Sequence, residues 1–409
     1  MPVTAFPARA VIDLAAIRSN VAALRGTAGS AQVMAVVKAD AYGHGLVPSA
    51  RAALAGGATW LGVAQLEEAL ALRAAGVDAP VLCWLYAPGA PLGRAVEAGV
   101  DLSVSAGWAL VEVVDAARAT GRTARIHVKV DTGLGRGGAM PRELESLLDA
   151  ALAAQAEGTV DVVGLWSHLA WADAPDHPTV LAQAAVFDEA VALAERRGAR
   201  LEVRHLANSA ATLTNPAMHY DLVRPGIAVF GLSPVPQLGG PEAYGLTPAM
   251  RVEAELVLAK VVPAGHGVSY AHAYVTAAET VLGVVPLGYA DGVPRHASGG
   301  VDRWGGPVQV GRRRLGIAGR VCMDQFVLDL GPDATEVAGD RVVLFGSGAD
   351  GEPTAEDWAA AAGTISYEIV ARLGARVPRT YTGGDEGGAA RDTASSGPEQ
   401  GGPQQGGTA

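Results

Sequence analysis

Apolar residues recur along the chain with two different periods, and the change from one to the other divides it. Over residues 13–24, Leu14, Ile17, Val21 and Leu24 fall at helical spacing behind Asp13, a residue type that caps a first turn. Short apolar runs follow at Val33–Val37, Leu61–Val63, Val81–Leu85, Leu102–Val104, Ile126–Val130, Val162–Trp166, Leu201–Leu206 and Leu222–Val229, the last interrupted by Pro225. Alanine-rich segments of helical composition, such as Leu66–Ala75 and Val180–Arg197, lie between them. Eight strand candidates in alternation with helices imply parallel strands, and eight is the count that closes a (β/α)8 barrel. A doubly wound open sheet, more usually built on fewer strands, is the rival.

From Met250 onward the period falls to two: Met250, Val252, Ala254, Leu256 and Leu258 alternate with mostly polar residues, as in a half-exposed strand. Val281–Leu287, Val308–Ile317, Val321–Leu330 and Val342–Phe345 continue in this style, with glycine and proline at the turns. Ile365–Leu373 reads as a short helix behind a Thr364 cap. The expected organisation is α/β: a TIM-type barrel over residues 9–243, then a mainly β C-terminal domain over 244–382, which residues 1–8 can join. Residues 383–409, rich in Gly, Gln, Pro and Ser, bury too little apolar surface to offset ordering entropy and are expected to be disordered.

Composition narrows the function classes. The chain has 409 residues and a formal net charge of −11, with no basic run longer than Arg312-Arg313-Arg314. Nucleic acid and anionic membranes are therefore not expected partners. No apolar stretch approaches the roughly 18 residues of a membrane span, and the N-terminal segment lacks the pattern of a signal peptide. Cys83 and Cys322 lie in apolar, strand-like stretches and read as reduced, buried thiols of a cytoplasmic protein.

Catalytic groups of such barrels lie at the C-terminal ends of strands and in the loops beyond. The first strand runs into Lys38-Ala39-Asp40-Ala41-Tyr42-Gly43-His44-Gly45, and the fifth contains Lys129 and leads to Asp131-Thr132-Gly133-Leu134-Gly135-Arg136. The sixth ends at Ser167-His168, the seventh leads into Asn208-Ser209, and the eighth carries Arg224-Pro225-Gly226. The chain has only three lysines, Lys38, Lys129 and Lys260. A lysine just after an apolar strand can be partly desolvated, which frees its amine to condense with an aldehyde cofactor; the plain alternative is a solvated lysine at a loop start. Lys260 reads as a surface lysine. Gly133–Gly138 formally matches G-x-G-x-x-G but lacks the strand–helix context of a dinucleotide site. No histidine or cysteine spacing suits a metal, and no G-x-S-x-G elbow is present.

Val36-Val37-Lys38-Ala39-Asp40-Ala41-Tyr42-Gly43-His44-Gly45 resembles the cofactor-attachment motif of the alanine racemases. The resemblance continues through Val130–Gly133, Ala207–Ser209, Val223–Gly226, Gly267–Tyr270, Gly288–Gly292, Gly319–Asp324 and Ile365–Glu368, in the family's order over residues 8 to 382. It implies a pyridoxal 5'-phosphate enzyme that interconverts L- and D-alanine, supplies D-alanine for peptidoglycan, and works as a homodimer with composite active sites.

By that resemblance Lys38 holds the cofactor and is the base on one face of the substrate. Tyr270, from the partner subunit, is the base on the other. A free tyrosine ionises only near pH ~10, so it needs help from neighbours, and His168 and Arg224 are similar to the residues that give it. Arg224 also resembles the arginine at the pyridine nitrogen. Tyr42, Ser209, the amides around Gly226 and Ile227, and Tyr367 would hold the phosphate. Arg136 resembles the residue that binds the substrate carboxylate, and Lys129 the lysine that the family can carry as a carbamate. Tyr289 and Tyr367 resemble an inner gate with Met323 beside it, a size filter that favours a methyl side chain. Phe230 stands where tyrosine is common and Ala271 where glycine is usual. A serine-selective or broad racemase shares most motifs; a cofactor carrier would not need the second domain; a decarboxylase would be expected to put an acid in place of Arg224.

Overall fold

A computed structural model describes residues 6–300 and 302–384. The first strand, β1 (Ala8–Asp13), ends on Asp13, whose Oδ1 accepts from the amides of Ala15 (2.9 Å) and Ala16 (3.2 Å) and so caps the helix Leu14–Ala28. Eight further strands follow: β2 (Gln32–Val36), β3 (Trp60–Val63), β4 (Val81–Cys83), β5 (Asp101–Val104), β6 (Ala124–Lys129), β7 (Val160–Trp166), β8 (Val203–His205) and β9 (Leu222–Val223). Each pairs in parallel with the next from β2 to β8, and β2 also pairs with β9. The outer edges meet: Asp221 N donates to Arg204 O (3.0 Å) and Arg224 N to Ala207 O (2.9 Å), with a parallel bridge between Asn208 and Arg224. Helices cover the outside of this parallel sheet, which is the expected barrel arrangement.

The last apolar run differs from its sequence reading. Only Leu222–Val223 is strand, and Ile227–Phe230 is a 3-10 turn. Pro225 has no amide to give to a ladder, though its carbonyl accepts from Val36 N at 2.9 Å.

The second architecture is a six-stranded sheet in the order Arg313–Gly316, Pro307–Val310, Arg341–Phe345, Met250–Glu255, β1 and Arg379–Thr382. The alternating run from Met250 breaks at Leu256 and Val257, and Leu258–Val262 joins a separate three-stranded sheet with Thr280–Val285 and Phe326–Gly331. Val308–Ile317 is a hairpin rather than one strand, because Gly311 turns the chain at φ +57°. The expected strand Val321–Leu330 begins only at Phe326, leaving Val321–Gln325 as a loop. The short helix is Ser366–Ala371, entered from Ile365 without a side-chain cap; Thr364 bonds the Glu368 carboxylate instead. Gly383 and Gly384 are described, and Arg18 donates to Gly383 O (2.9 Å). The expected disordered tail from 385 on lies outside the described residues.

Candidate active site

Lys38 follows β2 directly, and the backbone after it turns the wrong way for L-residues. Ala39, Asp40, Ala41 and Tyr42 all have φ between 52° and 56°, a left-handed turn closed by Gly43 at φ 81°. Three contacts hold this costly geometry. Glu68 Oε1 accepts from Ala39 N (2.5 Å) while its Oε2 accepts from Ala64 N and Gln65 N (both 3.1 Å). The Asp40 carboxylate accepts from Leu46 N (2.7 Å). The buried His44 ring lies 3.0 Å through Nδ1 from both Ala41 O and Tyr42 O. A side chain at Gly43 would strike Val370 O, so the helix Ser366–Ala371 of the second domain packs straight onto this turn.

The turn leaves Lys38 Nζ 5.8 Å from the Tyr42 ring centre and 6.0 Å from that of Trp84. Burial, and then the positive charge of Arg136, push the Lys38 amine below the usual lysine range, with Glu68 opposing. Tyr42 is buried, and burial raises its phenol, so its hydroxyl stays protonated. Gly226 is the residue that Tyr42 requires: a Cβ there would lie 2.2 Å from the Tyr42 hydroxyl. Ser209, at the start of the Asn208-capped helix Ser209–Thr214, accepts from Gly226 N (2.8 Å). Tyr367 lies 6.3 Å from Tyr42, ring centre to ring centre. Hydroxyls and backbone amides without a carboxylate suit a phosphate dianion.

Arg224 is buried on the Trp166 ring (4.8 Å), beside Lys129 (4.3 Å from the same ring). Its Nη2 donates to Ser167 O (2.7 Å) and Leu206 O (3.3 Å) and reaches His168 Nδ1 (3.2 Å); its Nη1 reaches His205 Nδ1 (3.2 Å). Burial pulls the guanidinium down to about 9. Lys129 ends β6, and burial followed by Arg224 and Arg136 lowers its amine to about 8. His168 is held well below the imidazole range by burial and then by Arg224, so it is neutral at pH 7. Arg136 stands exposed in the loop organised by Asp131 Oδ1, which accepts from the amides of Gly133, Leu134 and Gly135. The glycine run is thus a loop held by an aspartate.

Lys38, Tyr42, Lys129, His168, Ser209, Arg224, Gly226, Ile227 and Tyr367 therefore gather at one mouth, together with Trp84 and Trp166. Tyr270, by contrast, is 69% exposed in a loop whose residues Ser269, Ala271 and His272 have positive φ. Tyr289 and Met323 are 41% and 53% exposed, and their loops are tied by Tyr289 N to Cys322 O and Ala290 N to Met323 O, both 3.0 Å. Cys322 is half-buried in that loop, not buried as expected; Cys83 is buried, and both are free thiols. Nothing in the sequence singles out Glu68, Trp84 or Trp166: an acid in a helix and tryptophans at strand ends look structural until the fold brings them to the lysine.

A buried lysine of lowered pKa, hydroxyls and amides that suit a phosphate, and a buried arginine at one barrel mouth are the features of enzymes that hold an aldehyde cofactor on lysine. The family profile described as "Alanine racemase, N-terminal domain" matches residues 12–234, and "Alanine racemase, C-terminal domain" matches 249–381. An alanine racemase of Beutenbergia cavernae is 66% identical over 379 residues, covering 93% of this chain and 99% of that one. The crystal structure of alanine racemase from D-cycloserine-producing Streptomyces lavendulae is 57% identical, with a TM-score of 0.91 over 94% of this chain and 99% of that one. That of the Bacillus anthracis enzyme with bound L-Ala-P is 34% identical, with a TM-score of 0.84 over 93% and 96%. The chain belongs to the alanine racemase family, pyridoxal-phosphate-dependent isomerases that interconvert L- and D-alanine.

Proposed function

We propose that the chain racemises alanine with two bases, Lys38 of one subunit and Tyr270 of a second copy, in the cytoplasm. The observation that carries this is the contrast between a complete cofactor cradle around Lys38 and a Tyr270 that its own chain leaves exposed. Bound at Lys38, pyridoxal phosphate supplies the electron sink that lets an amino acid release its α-proton. Tyr42, Ser209, Tyr367 and the amides of Gly226 and Ile227 would hold the phosphate. With the cofactor bound, Arg224 would face the ring nitrogen and keep its own proton, so it would temper electron withdrawal and favour return of the proton to carbon over transamination.

The Lys38 amine, already lowered in pKa, takes or gives a proton on its face at neutral pH. Arg224 donates to His168 Nδ1, which fixes the imidazole proton on Nε2 and leaves a donor at the mouth to steady an ionised Tyr270. Arg136 binds the substrate carboxylate. Lys129, with an amine lowered to about 8, is nucleophilic enough to add CO2 with loss of a proton; the resulting carbamate pairs with Arg136. Tyr289, Tyr367 and Met323 bound the space for the side chain and favour a methyl. Exposed Leu85, Met140 and Trp171 offer apolar surface to a second copy, and the free thiols suit a reducing compartment. In this reading β1 belongs with the β domain and the barrel supplies the cofactor site.

Co-expression of Lys38→Ala with Tyr270→Phe tests the shared site. A mixed dimer has one site with both wild-type groups only if the bases come from different subunits. Two inactive parents should yield roughly a quarter of wild-type activity at random pairing. No recovered activity in isolated mixed dimers would place both bases in one chain and refute the composite site.

A further inference from the structure

Below Arg224 the barrel interior holds a row of polar side chains that the proposed reaction does not use. His205 ends β8, His127 lies in β6 and Asp101 opens β5; all three are buried. Arg224 Nη1 is 3.2 Å from His205 Nδ1, His205 Nε2 is 2.9 Å from His127 Nδ1, and His127 Nε2 is 3.3 Å from Asp101 Oδ2. Arg125 Nε donates to both Asp101 oxygens (3.1 and 3.2 Å), and its two terminal nitrogens grip Glu202 (3.0 and 2.9 Å). The row crosses the barrel from the strand starts to the catalytic mouth and alternates in charge: Glu202, Arg125, Asp101, two imidazoles, Arg224.

The chemistry allows one proton arrangement. A guanidinium only donates, so His205 Nδ1 accepts. His205 is neutral, because burial and then the charge of Arg224 hold it far below the imidazole range, and its single proton is therefore on Nε2. That proton goes to His127 Nδ1, which leaves the His127 proton on Nε2, facing the Asp101 carboxylate. Every bond thus points from Arg224 toward Asp101.

The fold makes room for this row. A Cβ at Gly164 of β7 would lie 2.3 Å from His127 Nδ1, and the β6–β7 register shifts between Ile126 and His127. Trp166 stacks on His205 (5.6 Å, 6°) and Trp60 meets His127 edge-on (5.5 Å), walling the row in apolar surface. Among the described residues, the other hydrogen-bond and ring partners of Arg224 are carbonyls, His168 and the Trp166 ring, and a buried cation needs a counter-charge. We propose that Asp101, His127 and His205 are positioning residues: a one-way hydrogen-bond relay that fixes the plane of the Arg224 guanidinium and sets how strongly it donates at the cofactor ring.

The inference rests on the reading of Arg224 as the ring-nitrogen partner, and the test separates the two. In cofactor-free wild-type protein, 15N NMR of the histidine side chains should find the protons of His127 and His205 on Nε2 at pH 7. A proton on Nδ1 of either ring would overturn the relay. In the holoenzyme, Asp101→Asn and Gly164→Ala should both shift the absorbance of the bound cofactor, raise its dissociation constant about tenfold, and change the ratio of pyruvate to D-alanine formed. Leu148→Ala, a core truncation in the helix Pro141–Ala156, should lower stability without any of these changes. If Arg224→Lys shifts the absorbance and Asp101→Asn does not, the relay is merely structural and the proposal falls. If neither does, the assignment of Arg224 itself is wrong.

Discussion

At the scale of single residues, the site depends on side chains that hold backbone rather than touch substrate. His44 is the clearest case. Buried and stacked on Phe230 at 4.4 Å, it donates from Nδ1 to the left-handed turn, and burial lowers its pKa to about 4. Between pH 6.5 and 4 the unfolded chain binds a proton that the folded chain refuses, so stability is lost as pH falls through that window and levels off below it. The loss is on the order of 3 kcal/mol. Urea denaturation at pH 7 and pH 4.5 should show a shallower loss for His44→Asn than for the wild type; equal slopes would mean that His44 is protonated in the fold. His44 was legible only as part of a motif, because nothing in sequence distinguishes a ring that braces a turn from one that meets substrate. Ala271 shows the converse. The glycine usual there is explained by a backbone at φ 61°, which this chain adopts with an alanine.

Among elements, the strand ends dominate, and they were also the part best read from sequence. Short apolar runs match seven of the eight barrel strands to within a few residues, because strands buried between the helices outside and the barrel interior are largely apolar; the eighth, Leu222–Val223, is cut short at Pro225. The β domain is less legible: hairpins and loops place turns inside apolar runs, so the runs Val308–Ile317 and Val321–Leu330 are longer than the strands they contain. Not legible at all was the link from the helix Leu66–Ala74 to the lysine. One carboxylate, Glu68, caps that helix and accepts from the amide next to Lys38, across 29 residues of chain. Glu68→Ala should cost about 2–3 kcal/mol, the scale of hydrogen bonds to a charged group. It should also lower the Lys38 pKa further, because Glu68 is the neighbour that raises it. Chemical denaturation and the pH dependence of reductive methylation at Lys38 would measure the two effects. An unchanged lysine titration would show that Glu68 serves only as a cap.

For the molecule as a whole, two architectures meet at one helix. Ser366–Ala371 of the second domain packs on the turn after Lys38 and brings Tyr367 to Tyr42, so the proposed cofactor cradle draws on both ends of the chain. Tyr270, Tyr289 and Met323 face outward on the same domain, and the mouth carries exposed Leu85, Met140 and Trp171. The proposed second copy would cover this surface, and the sequence suggests that partner through resemblance and not through composition. Among the described residues no helix is long and apolar enough to cross a membrane and no cluster of side chains suits a metal. As an alanine racemase, the protein moves a proton from one face of alanine to the other and does nothing else to it. The direct measurement is incubation of the pyridoxal-phosphate-loaded protein with L-alanine, followed by chiral chromatography and an assay for pyruvate. The expected result is approach to an equal mixture of enantiomers with no pyruvate. Absence of D-alanine from folded, loaded protein, or pyruvate forming in step with it, would overturn the racemase reading.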